Sequence, residues 1–197
     1  NPFNANDMML GRRALYESTD QGVTVTTVIA PTGSGKAATE RFNSLVYGGV
    51  RGGINFANVF WAGTESGSIF IRDETGTVTN RTAALTAAIA GTAAIHDIAI
   101  DPGDYRIAYA LKGDAVAVTT DSGATWTAIT DNVGALTTEL RSLALFDDTP
   151  ATTGDSVLLA GGFGGVFRRL PNAGLGTTTW SEFGLMPNSL VQDLDFL

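Results

Sequence analysis

The sequence predicts an all-β protein built from four-stranded antiparallel units that recur about every 50 residues. Two features share this period. Turn-like segments end at positions 25, 79, 126 and 180, and pairs of apolar residues two positions apart begin strand-like runs at positions 45, 98, 143 and 194. Repeats of this length are typical of folds in which each repeat forms one sheet. The 24 glycines, the 44% hydrophobic content and the lack of cysteine suit a turn-rich β-protein without disulfides.

The clearest repeated element is a turn at residues 119–126, with the sequence TTDSGATW. Its acidic residue, Asp121, can accept hydrogen bonds from amides of its own turn, and Gly123 can adopt the positive φ that the turn requires. Residues 18–25 repeat the pattern with Val25 in place of the tryptophan. The residues predicted to form the two turns are Ser18, Asp20, Gly22, Thr24, Thr119, Asp121, Gly123, Thr125 and Trp126.

Two further copies of this turn are degenerate. In one, Glu74 and Gly76 take the aspartate and glycine places, and Thr79 takes the tryptophan place. The other retains only its end, Thr179 followed by Trp180. All four copies together set the spacing of the units.

The units follow one another along the chain. Residues 1–40 are predicted to hold the last three strands of one unit, with strands at 8–11, 14–17 and 23–29. The next unit, 41–90, is predicted to have strands at 44–47, 59–62, 68–72 and 77–79. Residues 82–94 suit a short helix or a loop equally, because they are rich in alanine but contain Gly91 and lack helix caps.

The second half of the chain repeats this scheme. The unit at 91–135 has predicted strands at 95–100, 106–111, 115–119 and 125–129, with a turn at Asp101-Pro102-Gly103-Asp104. The unit at 136–185 has predicted strands at 140–146, 157–160, 165–169 and 178–183. Residues 186–197 are predicted to supply the first strand of a further unit, or of the unit that residues 1–40 leave incomplete.

With these turns and spacings, the chain resembles the Asp-box, or BNR-repeat, β-propellers. This group includes sialidases, sortilin-type receptor domains, xyloglucan-cleaving glycoside hydrolases and a photosystem assembly factor. The residues at 1–6, 47–49, 119–126 and 186–195 are similar to propellers of large secreted bacterial exoproteins. The resemblance implies one propeller region over residues 1–197, a secreted or cell-surface location of bacterial type, and structural rather than catalytic roles for Asp20 and Asp121.

The number of blades is left open between two arrangements. The C-terminal strand can complete the N-terminal blade and close a ring of four blades, or the chain can be a fragment of a larger propeller. Uncovered sheets need neighbours or caps, and four blades make a small ring, so we favour the fragment.

The overall charge limits the kinds of partner. The net charge of −8 and the isoelectric point near 4.5 argue against nucleic acid, which needs a basic face. No apolar stretch reaches the roughly 20 residues that span a bilayer. We therefore expect a protein, a polysaccharide, another copy or the rest of a longer chain as partner.

Residues 30–37, APTGSGKA, resemble a phosphate-binding loop. Such a loop needs a glycine where Ala30 stands and a Ser or Thr ligand for Mg²⁺ where Ala37 stands. No helical pattern follows the loop. We therefore interpret the segment, including Lys36, as a polar link between units rather than a nucleotide site.

Carboxylates on the first strands are the best candidates for catalysis. Asp97 and Asp193 occupy the same place in their units, where Ser44 and Ser142 stand in the others. Two facing carboxyl groups are sufficient for a glycoside hydrolase. The alternative interpretation is that both are solvated groups on the channel wall, and no arrangement of arginines matches a sialidase site.

Other candidate sites have less support. His96 is the single histidine, so a zinc site or a Ser-His-Asp triad would depend on it alone. No cofactor is expected, although turn carboxylates could hold Ca²⁺. These candidates are Asp101, Asp104, Asp147 and Asp148. Large aromatic residues are expected to pack between units rather than stack on sugars, namely Phe60, Trp61, Phe163 and Phe167.

The sequence thus favours a non-catalytic extracellular binding or scaffold module that presents loops on rigid blades. A glycoside hydrolase, or part of one, that uses carboxylates on the channel wall is the alternative.

Overall fold

The computed structural model describes residues 1–146, 156–170, 179–184 and 189–194, and these residues form four antiparallel sheets in chain order. In every sheet, each strand pairs with the next strand along the chain. This confirms the predicted all-β fold of repeated antiparallel units. Within the described parts of the chain, no helix is long and apolar enough to cross a membrane.

The strands of the first two sheets lie close to their predicted positions. The first sheet contains three strands: β1 (Met8–Gly11), β2 (Leu15–Ser18) and β3 (Thr26–Ile29). The second sheet contains four strands: β4 (Phe42–Arg51), β5 (Ile54–Thr64), β6 (Ile69–Arg72) and β7 (Val78–Asn80). A short helix, α1 (Thr82–Ala88), follows, and its buried Leu85 anchors it in the core. Burial of Leu85 thus stabilises a helix in a segment whose sequence suits helix and loop equally.

The other two sheets repeat the four-stranded plan. The third sheet contains β8 (Ile95–Ile100), β9 (Ala108–Lys112), β10 (Ala115–Thr119) and β11 (Thr127–Ala128). A single helical turn, α2 (Val133–Leu136), precedes the fourth sheet. That sheet contains β12 (Leu140–Phe146), β13 (Val157–Gly162), β14 (Gly165–Arg169) and β15 (Trp180–Glu182).

A separate apolar core lies between each pair of neighbouring sheets. Between the second and third sheets, the rings of Trp61 and Trp126 meet edge to face with centroids 5.9 Å apart. The indole of Trp61 also donates to the carbonyl of Tyr105, at 3.0 Å. Each fully buried large side chain stabilises the fold by about 1.5–3 kcal/mol. The sheets are therefore held face to face mainly by their aromatic and branched side chains.

Glycines on β1, β5 and β13 let a later part of the chain approach these strands closely. A Cβ at Gly11 of β1 would lie 2.7 Å from the Cβ of Phe42 in β4, and a Cβ at Gly63 of β5 would overlap Ile95 in β8. Gly161 of β13 faces Val191 in the same way, at 2.8 Å. These contacts place β4 against β1, β8 against β5 and Val191 against β13.

The two best-matched turns have the same hydrogen bonds. In one, Asp121 accepts from the amide and hydroxyl of Thr125, at 2.9 and 2.7 Å, and from the hydroxyl of Thr119, at 2.8 Å. In the other, Asp20 accepts from Thr24 at 2.8 and 2.6 Å and from Ser18 at 2.8 Å. Each carboxylate therefore closes its own turn.

These bonds also affect titration. The pKa of Asp20 is lowered by the hydroxyl and amide of Thr24 and by Ser18. For Asp121, slight burial acts to raise the pKa, but the bonds from Thr125 and Thr119 outweigh it and the pKa is lowered. Both turns are therefore arranged around the charged carboxylate.

The third copy of the turn corrects the predicted alignment. Asp73, not Glu74, accepts from the amides of Thr75 and Thr77, at 2.9 and 3.1 Å. Arg72 pairs with Val78, just as Arg169 pairs with Trp180, so Val78 rather than Thr79 takes the tryptophan place. This loop is one residue shorter than the loops of Asp20 and Asp121, and the preceding acidic residue closes it.

Part of the predicted C-terminal strand lies within the described residues. Leu190 forms an isolated bridge with Phe163, and the amide of Val191 donates to the carbonyl of Gly162 at 3.0 Å. Residues 191–194 do not form a regular strand. The rest of the predicted strand lies outside the described residues.

Candidate functional site

The first strands of the second, third and fourth sheets lie side by side, and we call β4, β8 and β12 the inner strands. Each contains a β-bulge at the same place. The pairing of these strands skips Asn43, His96 and Arg141. A bulge re-aims the extra side chain and commonly occurs near functional sites. The inner strands therefore share one irregular position that carries a different polar side chain in each sheet.

Ser44, Asp97 and Ser142 directly follow the bulges and pair with Gly63, Leu111 and Gly161. These three residues, which the sequence aligned with one another, therefore take the same place on neighbouring inner strands. Ser44 and Ser142 are buried. Within the described residues, the buried hydroxyl of Ser142 has no hydrogen-bond partner.

Both carboxylate oxygens of Asp97 are occupied by backbone amides. One accepts from Ile98 at 2.8 Å, and the other accepts from Leu143 on the neighbouring inner strand at 2.7 Å. Burial raises the pKa of Asp97, the two amides partly offset this, and the negative charge of Asp193 raises the pKa further. Asp97 thus links β8 to β12, and Asp193 lies near enough to act on it.

His96 and Arg141 occupy equivalent bulges on adjacent strands. Partial burial lowers the pKa of His96, and the charge of Arg141 lowers it further. Asn43 donates from its side chain to the carbonyl of Ile95, at 3.0 Å. The bulge residues therefore form a row of neutral and cationic groups beside the carboxylates. In the sequence they are the residues before each aligned Ser or Asp, but the strand itself carries no signal that they are bulges.

The lysine of the phosphate-loop lookalike faces inward. The buried ammonium of Lys36 donates to the carbonyl of Glu40 at 2.9 Å and lies 5.6 Å from the ring centre of Phe42. The chain continues from this loop into β4 and not into a helix. Lys36 thus stabilises a link between the first two sheets and is not positioned for a phosphate.

The turn after β8 contains two of the calcium candidates. Asp101 accepts from the amides of Gly103 and Asp104, at 2.8 and 3.0 Å. The carboxylate of Asp104 is paired with the guanidinium of Arg106, which competes with a cation. Among the described residues, no group of three or more acidic or histidine side chains is close enough to hold a metal. Asp147 and Asp148 lie outside these residues.

A polar cluster between the first two sheets was not predicted. Glu17 of β2 forms a two-pronged ion pair with Arg72 of β6 and accepts from the hydroxyl of Tyr47 in β4, at 2.5 Å. Arg72 also stacks 4.9 Å from the ring centre of Phe60. The bond from Arg72 lowers the pKa of Glu17, against the effect of burial. No repeat connects these residues, so sequence periodicity carries no signal for the cluster.

The aromatic residues differ in their exposure. Phe60, Trp61 and Phe167 are buried between sheets, as predicted. Phe163 is instead half exposed, because it lies at the β13–β14 turn, where it borders a cleft of about 370 Å³ with Leu136 and Glu182. The prediction of inter-sheet packing was wrong for Phe163.

Consecutive antiparallel sheets packed face to face, with the first strands side by side, define the β-propeller class of proteins. Comparison with solved structures supports this class. No family model matches the sequence, and no curated protein matches it.

Three solved structures resemble the chain. They are an ancestral GH74 enzyme (TM-score 0.60, 18% identity), the GH74 xyloglucanase from Xanthomonas campestris (0.56, 16%) and YCF48 bound to D1 peptide (0.50, 18%). The matches cover 91%, 95% and 85% of this chain but only 22%, 30% and 47% of those structures. The chain therefore has the β-propeller fold, with four blades, and spans less than half the length of each structure.

Proposed function

We propose that the chain is a non-catalytic extracellular module that uses a rigid propeller to present loops to a protein, a polysaccharide or another copy of itself. The observation that carries this proposal is the state of Asp97. Each oxygen of Asp97 accepts a hydrogen bond from a backbone amide, one from Ile98 on its own strand and one from Leu143 on the neighbouring inner strand, so the carboxylate has a structural role that fixes its position. The best candidate for catalysis is thus explained by its structural role.

The proposal includes the finer identity of the turns. We take the turns at Asp20 and Asp121 as Asp boxes, because their carboxylates make the same three hydrogen bonds with hydroxyl and amide groups of the turn. We also propose a secreted or cell-surface location of bacterial type, which rests on the resemblance in sequence. The solved neighbours agree with either kind of partner, since one is a xyloglucanase and another is bound to a peptide.

A glycoside hydrolase is the second candidate function. Its support is the raised pKa of Asp97, which a general acid requires, together with the nearby charge of Asp193. GH74 enzymes among the solved neighbours agree with this alternative.

The two functions can be separated by incubating the protein with xyloglucan and other soluble glucans and measuring new reducing ends. If the chain is a binding module, the unmutated protein, Asp97→Asn and Asp193→Asn should all release no more reducing ends than buffer alone. Hydrolysis by the unmutated protein that either substitution abolishes would overturn the proposal. Affinity electrophoresis in gels that contain the same glucans then reports binding without cleavage.

The bulge residues offer a further test of where a ligand binds. If the inner strands form the binding surface, Arg141→Ala should weaken retardation in the gel, because Arg141 is exposed on that surface. Arg168→Ala is the matched control, since Arg168 is exposed on the third strand of the same sheet. Equal losses in both variants would contradict a site on the inner strands.

Calcium stays a prediction for the turn of Asp101 and Asp104. Thermal unfolding with Ca²⁺ and with a chelator would test it. A rise in melting temperature with Ca²⁺ that Asp104→Asn removes would support a bound ion, and equal melting temperatures would reject it.

A further inference from the structure

The first two sheets meet through polar side chains at places where the other sheets meet through apolar ones. Gly11 and Gly63 take the same place in their sheets, because each lies against the first strand of the next sheet. Four residues before these glycines stand Asp7 and Val59, respectively. Asp7 therefore occupies a position that is apolar and fully buried at the interface between the second and third sheets.

Glu17 and Tyr47 replace apolar residues in the same way. Glu17 lies two residues after the strand partner of Gly11, and Tyr47 lies three residues after Ser44 on its inner strand. The same counting in the other sheets identifies the residues that correspond to Asp7, Glu17 and Tyr47. They are Val59, Ile71 and Ile100 between the second and third sheets, and Ile107, Val118 and Leu145 between the third and fourth. All six belong to the apolar cores or pack against them, so the fold does not require polar groups here.

The carboxylate of Asp7 lacks a partner although its side chain is buried. Asp7 is only 9% exposed, and among the described residues no hydrogen-bond donor or cation contacts its carboxylate. Arg72 does not neutralise it, because both terminal nitrogens of the guanidinium are bonded to Glu17. Two carboxylates and one guanidinium thus leave one negative charge uncompensated. Burial of an unpaired charge destabilises a protein, so packing gives no reason for Asp7.

Asp7 lies in the wall of an open pocket between the first two sheets, which we call the Asp7 pocket. Its volume is about 190 Å³, below the roughly 300–1,000 Å³ that is typical of sites for drug-sized ligands. Asp7 and Arg72 are buried in its wall, and Thr19 and Asn58 are exposed at its opening. All lining residues fall within residues 7–76, so both walls belong to this chain. The pocket has room for the end of one side chain.

The groups around Asp7 add further acceptors. The hydroxyl of Tyr47 donates its proton to Glu17, so its oxygen can only accept further bonds. Burial and Glu17 raise the pKa of Tyr47, and the charge of Asp7 raises it further, so Tyr47 and Asp7 lie close together. The side-chain amide of Asn58 donates to the carbonyl of Glu74, which leaves its oxygen as an acceptor. The pocket therefore combines one carboxylate with neutral oxygens.

This set of acceptors fits an organic cation better than a metal ion. Ca²⁺ takes about six to eight oxygen ligands, and within the described part of the chain no three acidic or histidine side chains could hold a metal together. Arg72 adds only N–H donors to the wall. A lysine or arginine side chain brings donors and no acceptor, so a carboxylate and a few neutral oxygens are sufficient for it.

We propose that the Asp7 pocket binds the cationic end of a lysine or arginine side chain of a partner protein. The charged group donates N–H bonds to Asp7 and Tyr47, and it neutralises the charge of Asp7. The net charge of −8 attracts a basic partner to the chain. This inference rests on the proposed binding function and narrows its partner to a protein that presents a basic side chain.

Amide NMR spectra recorded during titration with small probes test the pocket directly. The probes are the Nα-acetyl methylamides of lysine and arginine, and the same derivative of norleucine is the uncharged control. We expect the basic probes, and not the control, to shift amide signals around Asp7, Glu17 and Tyr47. Absence of these shifts would overturn the proposal. Equal shifts with KCl or CaCl₂ at the same ionic strength would also overturn it, because the pocket would then bind an inorganic cation.

A titration with n-butylamine distinguishes a side chain from a free amine. This probe carries the ammonium group without the amides that flank a residue in a protein. If it bound more tightly than the lysine derivative, the pocket would be a site for a free amine, and the inferred protein partner would be wrong.

Substitution of Asp7 tests the role of its charge. Asp7→Asn retains the shape and should weaken binding of the lysine derivative by at least about tenfold, because a charge-assisted hydrogen bond is lost. Glu182→Gln is the matched control, since Glu182 is an exposed carboxylate on the fourth sheet and its loss changes the net charge equally. Equal losses in both variants would reduce the effect to general attraction between charges and reject the pocket.

Melting temperatures provide a measurement that needs no ligand. If Asp7 serves a ligand and not the fold, Asp7→Asn should melt no lower than the unmutated protein. Asp7→Val, which copies Val59 at the equivalent place, should melt at a higher temperature because it removes an unpaired buried charge. A lower melting temperature of Asp7→Asn would show that Asp7 stabilises the fold, and the inference would fail.

Failure of this inference can be told apart from failure of the proposed function. Binding of the basic probes is measured by NMR, whereas the non-catalytic role is tested by hydrolysis of glucans. A protein that neither binds the probes nor cleaves glucans would reject only the Asp7 pocket. A protein that does both would reject only the non-catalytic role.

Discussion

Replacement of Asp97 by asparagine tests whether this carboxylate links two inner strands. Asparagine has the same shape but only one side-chain acceptor oxygen, so it can satisfy Ile98 or Leu143 but not both. A buried amide left without a partner costs about 1–3 kcal/mol. Relief of the buried charge offsets part of this cost, so we expect Asp97→Asn to lower the free energy of unfolding by about 1–2 kcal/mol at neutral pH.

The pH dependence of stability gives a second measure of the same link. The pKa of Asp97 is raised in the folded protein, so the folded state retains this proton at a pH where the unfolded chain has released it. The contribution of Asp97 to stability therefore decreases as pH rises from its ordinary pKa through the raised value. In Asp97→Asn this decrease should be absent.

Urea unfolding followed by tryptophan fluorescence, at a series of pH values, measures both effects. Asp193→Asn is the control for the change in stability at neutral pH, because Asp193 is exposed and its replacement should change stability by less than about 0.5 kcal/mol. If Asp97→Asn matched the unmutated protein in stability and in pH dependence, the inferred link between β8 and β12 would be wrong.

Three other substitutions test the turns, the close approach of sheets and the polar cluster. Asp121→Ala removes three hydrogen bonds at an exposed turn and should lower stability by about 1–2 kcal/mol; an unchanged melting temperature would contradict its role. Gly63→Ala should cost about 1–3 kcal/mol by overlap with Ile95, and a second change, Ile95→Ala, should reduce that added cost in a double-mutant cycle. Arg72→Met leaves Glu17 without its cation and should cost about 2–4 kcal/mol in urea unfolding. Because the pKa of Glu17 is lowered in the folded state, its stabilising effect is lost as pH falls through that value, so the acid-side slope of stability should be shallower in Arg72→Met.

The repeat period could be predicted from sequence because the turns depend on local chemistry. Asp20 and Asp121 bond within four residues of themselves, so their pattern is visible in a short stretch. The same pattern gave the wrong residues in the third copy, where Glu74 and Thr79 were predicted in place of Asp73 and Val78. The loop there is shorter by one residue, so the aspartate that closes the turn comes one position earlier while the strands keep their pairing.

Features that depend on distant residues could not be predicted in this way. Glu17 and Arg72 are 55 residues apart and meet only because two sheets pack face to face. The bulges at Asn43, His96 and Arg141 arise in pairing with the second strands, which a single strand does not specify. For Asp97, the sequence indicated the right position on the strand. It could not indicate the hydrogen bond to the carboxylate of Asp97, because the donor, the amide of Leu143, belongs to the next unit.

The bulges have a consequence for how this surface can diversify. Asn43, His96 and Arg141 are inserted between paired residues, so their identity is uncoupled from the alternation that builds the cores. A combinatorial library that randomises only these three codons would vary the chemistry of one surface while every packed residue is retained. The three bulge side chains can thus be exchanged while the blades stay the same. Variants with new binding specificities can be selected from such a library.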